Sequence, residues 1–328
     1  MTVRRRMTLA AAALLLLRAD PARAQGAASM RRVGVLEVGP AAGNLPRRAA
    51  FKQGMVDLGW VEGRNIEYRF VSAEGQEGRL DVLAAEIVAA RMDVLATSSA
   101  SSTRALQKAT KTVPIVMANV VDPVANGFAV SLARPGGNIT GLTNQQQDVL
   151  PKLVEFVHQL APQARRIAFL FNENNPSHGA YREAAQQACA ALGLTAILVK
   201  ASTAAELEPA VARLVGERAQ GVVVAADPLF AVQADTLLRL LAPTRLPVVY
   251  GIRNHVDQGG LLSYGVNFDA NWRSAAKYVD RILRGDKPAD LPIEQPRRFE
   301  LVINLRHAKA LGITIPQSLL LRADEVIE

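Results

Sequence analysis

The residues with the clearest capacity for chemistry are the hydroxyls of Ser98-Ser99-Ala100-Ser101-Ser102-Thr103, placed where the apolar run MDVLAT gives way to a stretch of helical spacing. Hydroxyls and free backbone N–H groups at a helix start form a seat for a carboxylate, and the same serines serve equally as a cap and a solvated surface. Asp122-Pro123 and Asp227-Pro228 recur at similar places in two halves of the chain. Each aspartate can cap a helix that begins at its proline, or pair with a ligand ammonium group. Asn172, Asn174 and Asn175 follow the run RRIAFLF, where asparagine suits a turn before a helix at Ser177 or an amide contact to a ligand. Glu37 to Gly39, Asn119, Tyr250, Tyr264 and Asn267 also stand at or just beyond the ends of short apolar runs. Glu37, a charge closing an apolar strand, must be paired or at a rim. Tyr250, Tyr264, Phe171 and Phe230 form either a stacking wall for an organic ligand or the edge of the core.

These residues do not assemble into a recognisable catalytic set. GxSxG, HExxH and GxxxxGK[ST] are missing, and the first strand is followed by Gly39-Pro40-Ala41-Ala42-Gly43 rather than GxGxxG. His158, His178, His255 and His307 are scattered, as surface or capping histidines are. Cys189 is the single cysteine and lies on an apolar-patterned helix over Tyr181–Leu192, so it is expected in the core. No enzyme activity, metal or cofactor is expected.

The elements that must position the candidates alternate between short β-branched runs and helix-length amphipathic stretches, the pattern of a parallel sheet covered by helices. In the first half the strands are RRVGVLEV, NIEYRFV, MDVLAT and VPIVMA, with helices over Arg47–Leu58, Arg79–Ala90 and near Thr103–Ala109. From Val149 the order starts again with RRIAFLF, LGLTAILV, AQGVVVAAD and LPVVYG. The closing segments GGNITGLTN and GGLLSYGVN also correspond. A duplicated α/β lobe accounts for this recurrence; one large doubly wound sheet would give the paired Gly-Gly segments no reason to repeat. A helix over Trp272–Leu283, the connector DKPADLPIEQP, the strand FELVIN and a short helix in LRHAKALGI remain after both lobes are complete. The chain is therefore expected to cross between lobes more than once. The lobes read as residues 31–143 with 267–290, and 144–266 with 291–328. In open α/β sheets ligands sit beyond the carboxyl ends of the strands, which is where the candidates named above lie.

The chain has 328 residues, 49% hydrophobic and 21% charged, enough for two ordinary domains. Its net charge of +8 invites a nucleic-acid reading, but five arginines and one aspartate in the first 24 residues account for half of it. The rest is spread without basic blocks, and no nucleic-acid partner is expected. Residues 1–24 have an arginine-rich start, an apolar run from Met7 to Leu17 and the small-residue site Ala22-Arg23-Ala24, which reads as a cleavable secretory signal. The apolar run is too short for a membrane span. A soluble exported protein is expected, periplasmic where the cell has an outer membrane.

DPVANGFAVSLARPGGNITGLT, VVVAADPLF, VVYGIRNHVDQGGLLSYG and the ending KPADLPIEQPRRFELVINLRHAKALGITIPQSLLLRADEVIE closely resemble the ABC-transporter substrate-binding proteins of the family with tryptophan- and phenylalanine-binding members. The resemblance runs from about Arg31 to the end. It implies the type I periplasmic-binding-protein fold, two Rossmann-like lobes joined by three crossovers with the ligand between them. It also implies a small-molecule ligand, an amino acid or related carboxylate, and an ABC permease in the inner membrane as partner; monomer is the default for this class. A soluble ligand-sensing partner of a membrane receptor is the alternative that uses the same fold.

Overall fold

The computed structural model describes residues 30–328, other than 145, 176, 177, 297 and 298 and the side chains of 146–148. The expected export signal and Ser177 lie outside the described residues.

The first lobe begins with β1 (Arg31–Glu37), α1 (Leu45–Asp57), β2 (Ile66–Ser72) and α2 (Leu80–Ala89), and continues through β3 (Val94–Thr97), α3 (Ala100–Ala109), β4 (Ile115–Val120) and β5 (Ile139–Thr143). Its five strands lie in the order β2-β1-β3-β4-β5, all parallel. The second lobe follows with α4 (Gln146–Leu160), β6 (Arg166–Phe171), α5 (His178–Ala191), β7 (Thr195–Lys200), α6 (Leu207–Gly216) and β8 (Gly221–Val224). Then come α7 (Pro228–Val232), α8 (Ala234–Leu241), β9 (Val248–Tyr250), α9 (Asn254–Asp257) and β10 (Leu262–Gly265). The chain returns to the first lobe as α10 (Phe268–Leu283) and finishes in the second as β11 (Glu300–Asn304), α11 (Leu305–Leu311), α12 (Gln317–Leu320) and β12 (Glu325–Ile327). The second sheet is ordered β12-β11-β10-β9-β8-β6-β7. Its last five strands reproduce the first-lobe order, so two lobes of one design are present and the single-sheet alternative is excluded. The two added strands are the departure: β11 runs antiparallel to β10, and β12 pairs with β11.

β3, β4, β5 and β8 are buried along their whole length, as apolar runs covered by helices on both faces must be. Helix starts differ from expectation for local reasons. Ser99, in extended conformation, accepts a hydrogen bond from the Ser102 N–H, so α3 begins at Ala100 rather than near Thr103. Asp227 caps α7 as its Asp-Pro dipeptide suggests. Asp122 does not start a helix; its Oδ1 accepts from the Ala125 N–H and its backbone is left-handed (φ 37°), which makes a turn.

One face of the first sheet is covered by α10, whose Trp272, Ala275, Ala276, Val279 and Ile282 pack with Phe51 and Met55 of α1 and Val33, Val94 and Val116 of the sheet. Trp60 Nε1 donates to Asp280 Oδ1 at 2.7 Å, and Arg284 Nε donates to the same atom at 2.6 Å. The close approach of α1 and α10 depends on Gly54, where a Cβ would lie 2.6 Å from the Arg273 carbonyl oxygen and 2.9 Å from Ala276 Cβ. The connector after α10 also stays on this lobe at first: Leu291 and Ile293 are in its cores, the Glu294 N–H donates to Gly141 O, and the Thr143 N–H donates to Glu294 O, both at 2.9 Å. Gly54→Val should force the two helices apart and cost about 2–3 kcal/mol, read as a lower urea midpoint; an unchanged midpoint would show that α10 is not held in this way.

Candidate ligand-binding cleft

The carboxyl ends of both sheets open onto one cleft of about 840 Å³, within the range of small-molecule sites. From the first lobe it is lined by the segments after β1 and β3, by the end of β4 and by the start of α1; from the second, by the segments after β8, β9 and β10. α10 enters it at Asn267, Phe268, Asp269 and Trp272.

The first-lobe wall is rich in donors. Ser98 and Ser99 line it, with Ser99 tied to Ser102 through Oγ–Oγ contact at 2.6 Å and Ser102 hydrogen-bonded in turn to Thr97. Glu37 is buried and held by Arg48, whose Nε lies 3.0 Å from Oε1. Burial raises the Glu37 pKa, and the Arg48 hydrogen bond opposes that. Its neighbour Arg47 differs: it donates to Asn44 Oδ1 at 3.1 Å and lies over the Phe268 ring at 5.9 Å, with no carboxylate in ion-pair contact among the described residues. Burial pushes the Arg47 pKa down, offset in part by the more distant charges of Asp269 and Glu37. A partly desolvated cation without an ion-pair partner favours an anion brought by a ligand.

The second-lobe wall is acidic. Asp227 is buried; its Oδ1 accepts from Asn172 Nδ2 at 3.1 Å and from the Leu229 N–H at 2.8 Å, and its Oδ2 from Asn175 Nδ2 at 2.7 Å. A carboxylate offers about four acceptor sites, so these three bonds leave one unused. Asn172 is fixed by its own N–H donating to His178 Nδ1 at 2.9 Å, and the Asn174 N–H donates to Asn172 Oδ1 at 3.0 Å. His178 Nε2 lies 3.9 Å from Asp227 Oδ2, and burial lowers the histidine pKa against the pull of that carboxylate. Further along the wall, Arg253 is shared by Asp257 (3.1 Å), Glu300 (3.1 Å) and Glu325 (2.7 Å), so acid exceeds base.

Across the mouth the lobes touch. Gly39 sits under Val232 of α7, where a Cβ would meet Val232 Cγ2 at 3.3 Å. Glu77 of the first lobe donates nothing and accepts from Ser101 Oγ at 3.5 Å; burial, then the charge of Asp227 opposite, pushes its pKa up to about 7.

Of the residues singled out in the sequence, Glu37, Gly39, Ser98, Ser99, Asn119, Asn175, Asp227 and Asn267 line the cleft. Asn267 caps α10 through the Ala270 N–H at 2.9 Å. The others are placed elsewhere. Asp122 is occupied in its turn, Asn172 supports Asp227 instead of facing the cleft, and Asn174 is exposed with its N–H on Asn172 Oδ1. Tyr250 is buried and stacked on His255 with centroids 4.6 Å apart; Tyr264 packs between Phe156 and Phe299 where the chain changes lobes. Phe171 and Phe230 are core. His178 and His255 are not surface histidines as expected: both are fully enclosed, and burial holds His255 down to about 4. Arg47, Phe268 and Trp272 line the cleft without having been anticipated. In the sequence Arg47 reads as a helix surface and Trp272 as one apolar position in a stripe; the only usable signal was their closeness to a helix start after a lobe strand.

A profile described as ABC transporter substrate binding protein matches residues 33–327. A protein of Clostridioides difficile named tyrosine-binding protein is 25% identical over 266 residues, covering 81% of this chain and 76% of the relative. A structure described as the ABC domain in complex with L-Trp, from Streptococcus pneumoniae, has a TM-score of 0.85 at 24% identity, covering 91% of this chain and 100% of that one. A conserved domain protein from Vibrio cholerae gives 0.86 at 26% identity with the same coverage. The fold is thus that of the two-lobed type I periplasmic binding proteins.

Glu77 should leave a pH signature. Its carboxyl holds its proton to higher pH in the folded chain than the ordinary value of 4.5, so the folded state binds more protons between these values and loses stability as pH rises from 5 to 8. Glu77→Gln should match the parent at pH 4.5 and exceed its melting midpoint by about 2–4 °C at pH 8. An equal midpoint difference at both pH values would contradict the placement of Glu77 opposite Asp227.

Proposed function

Since the chain belongs to the ABC transporter substrate-binding protein family, we propose that it is the extracytoplasmic solute receptor of an ABC importer and that its cleft holds an amino acid or a related carboxylate. The observation that carries this reading is the opposed chemistry of the walls. Arg47 and the Ser98–Ser99 helix start face a ligand from one lobe, and Asp227 with the acid-rich Arg253 cluster face it from the other. A zwitterion placed between them satisfies both, whereas a sugar or a purine leaves the ionic groups uncompensated. Phe268 and Trp272, with Val38, Pro46, Val232 and Ile252, provide apolar surface for a side chain. Aromatic amino acids are the favoured members of the class, in keeping with the tyrosine-binding relative and the structure solved with L-Trp.

A ligand that touches both walls stabilises the closed arrangement over the open one by its differential contacts, and the closed form is the signal presented to the permease. No step of this requires chemistry on the ligand. Residues 1–24 fit a cleavable export signal, which would deliver the protein to the periplasm of a cell with an outer membrane.

The reading is tested by denaturing the purified chain from Gln25 onward, identifying any released solute by mass spectrometry, and titrating the refolded protein calorimetrically with amino acids, sugars and purines. An L-amino acid should bind at one per chain, with Arg47→Gln weakening it on the order of tenfold while leaving the unliganded melting midpoint within about a degree. A sugar or purine as the bound solute would contradict the proposed class.

A further inference from the structure

Two buried N–H donors in the cleft have no partner among the described residues. Asn119, at the end of β4, is 4% exposed; its Oδ1 accepts from Asn271 Nδ2 at 2.7 Å, while its own Nδ2 is without a partner among the described residues. Trp272, the residue after Asn271 on α10, is 3% exposed and its Nε1 is also unpartnered. The indole ring is held edge-on to Phe51, with centroids 5.6 Å apart, so it is a fixed group. Both side chains line the cleft. Asn254, which lines the cleft from the second lobe, shows the complementary defect: its Nδ2 donates to Ala231 O at 3.1 Å, and its buried Oδ1 accepts nothing.

A buried polar group left unpaired costs about 1–3 kcal/mol, and native structures carry few of them. These lie on the cleft and are sorted by lobe, donors on the first wall and an acceptor on the second. We propose that Asn119 Nδ2 and Trp272 Nε1 form a subsite that receives the carboxylate oxygens of the ligand, and that Asn254 Oδ1, with Asp227 on the same wall, receives its amino group, so the ligand enters in one orientation. The inference rests on the reading that this cleft is the binding site. Asn271 is a positioning residue: by donating to Asn119 Oδ1 it turns the amide nitrogen toward the ligand.

Matched pairs of compounds test the subsite, read as shifts of the melting midpoint and as Kd by calorimetry on the refolded chain. The pairs are L-tyrosine with tyramine, L-tryptophan with tryptamine, and further organic acids with their amides. Stabilising compounds should be carboxylates, and removing the carboxylate should abolish the shift. Asn119→Asp keeps the acceptor for Asn271 and replaces only the donor by a carboxylate, so it should weaken carboxylate binding on the order of 100-fold with the unliganded midpoint little changed. Trp272→Phe keeps the ring against Phe51 and should cost about tenfold. A carboxylate ligand that is not an amino acid, lost in Asn119→Asp, would keep the subsite and overturn the amino-acid class. Tight binding of a compound without a carboxylate, full affinity in Asn119→Asp, or a panel in which no carboxylate stabilises the protein would overturn the subsite.

Discussion

The structure depends on the return of one helix. The first sheet is formed by residue 143, yet one of its faces is only partly covered, by α1, until α10 arrives after the chain has passed through the parallel strands of the second lobe. Burial of Trp272, Ala276, Val279 and Ile282 against Phe51, Met55 and the sheet is what completes the first lobe, and at about 25 cal/mol per Å² of apolar surface this is a large contribution to its stability. Neither lobe is a contiguous segment of chain, so neither can be finished without the other. The same return explains the hinge: connections run between β5 and α4, between β10 and α10, and between Glu294 and β11, with Glu294 paired backbone to backbone beside β5. Parallel connections of this kind restrict twisting while leaving the lobes able to open about one line.

The helix that completes the core also builds the site. α10 begins at the cleft, capped by Asn267, and within its first five residues places Phe268 under Arg47, Asn271 on Asn119 and Trp272 in the wall. Core and site are therefore coupled through one rigid element, which is how donors can be held unpaired without collapsing onto protein acceptors. On the other wall Asp227 is oriented by three hydrogen bonds from a loop and a helix start.

Much of this architecture was legible in the sequence because it rests on periodicity and repetition. Strands such as VPIVMA and GVVV, the two Gly-Gly closing segments and the leftover helix after Asn267 were enough to anticipate twin lobes and repeated crossings. Position beyond strand ends also brought Glu37, Ser98, Ser99, Asn119 and Asp227 to the cleft. What stayed hidden depends on direction and on partners distant in sequence. Asn172 stands at the correct strand end, but its amide turns inward to Asp227, 55 residues away, and the exposed Asn174 offers only its backbone N–H to Asn172 Oδ1. Tyr250 turns into the core to stack on His255, while Trp272, patterned like any core residue, shows an edge to the ligand space. Such choices are set by the packing of neighbouring elements, which hydrophobic patterning does not encode.

The central claim is that a solute bridging the two walls holds the lobes together. Small-angle X-ray scattering of the refolded chain, recorded without ligand and then with saturating L-tyrosine or L-tryptophan, measures this directly. The account predicts a smaller radius of gyration in the liganded protein, with a scattering curve approaching that calculated for the arrangement in which Val232 rests over Gly39. Calorimetrically proven binding with an unchanged radius of gyration would contradict it.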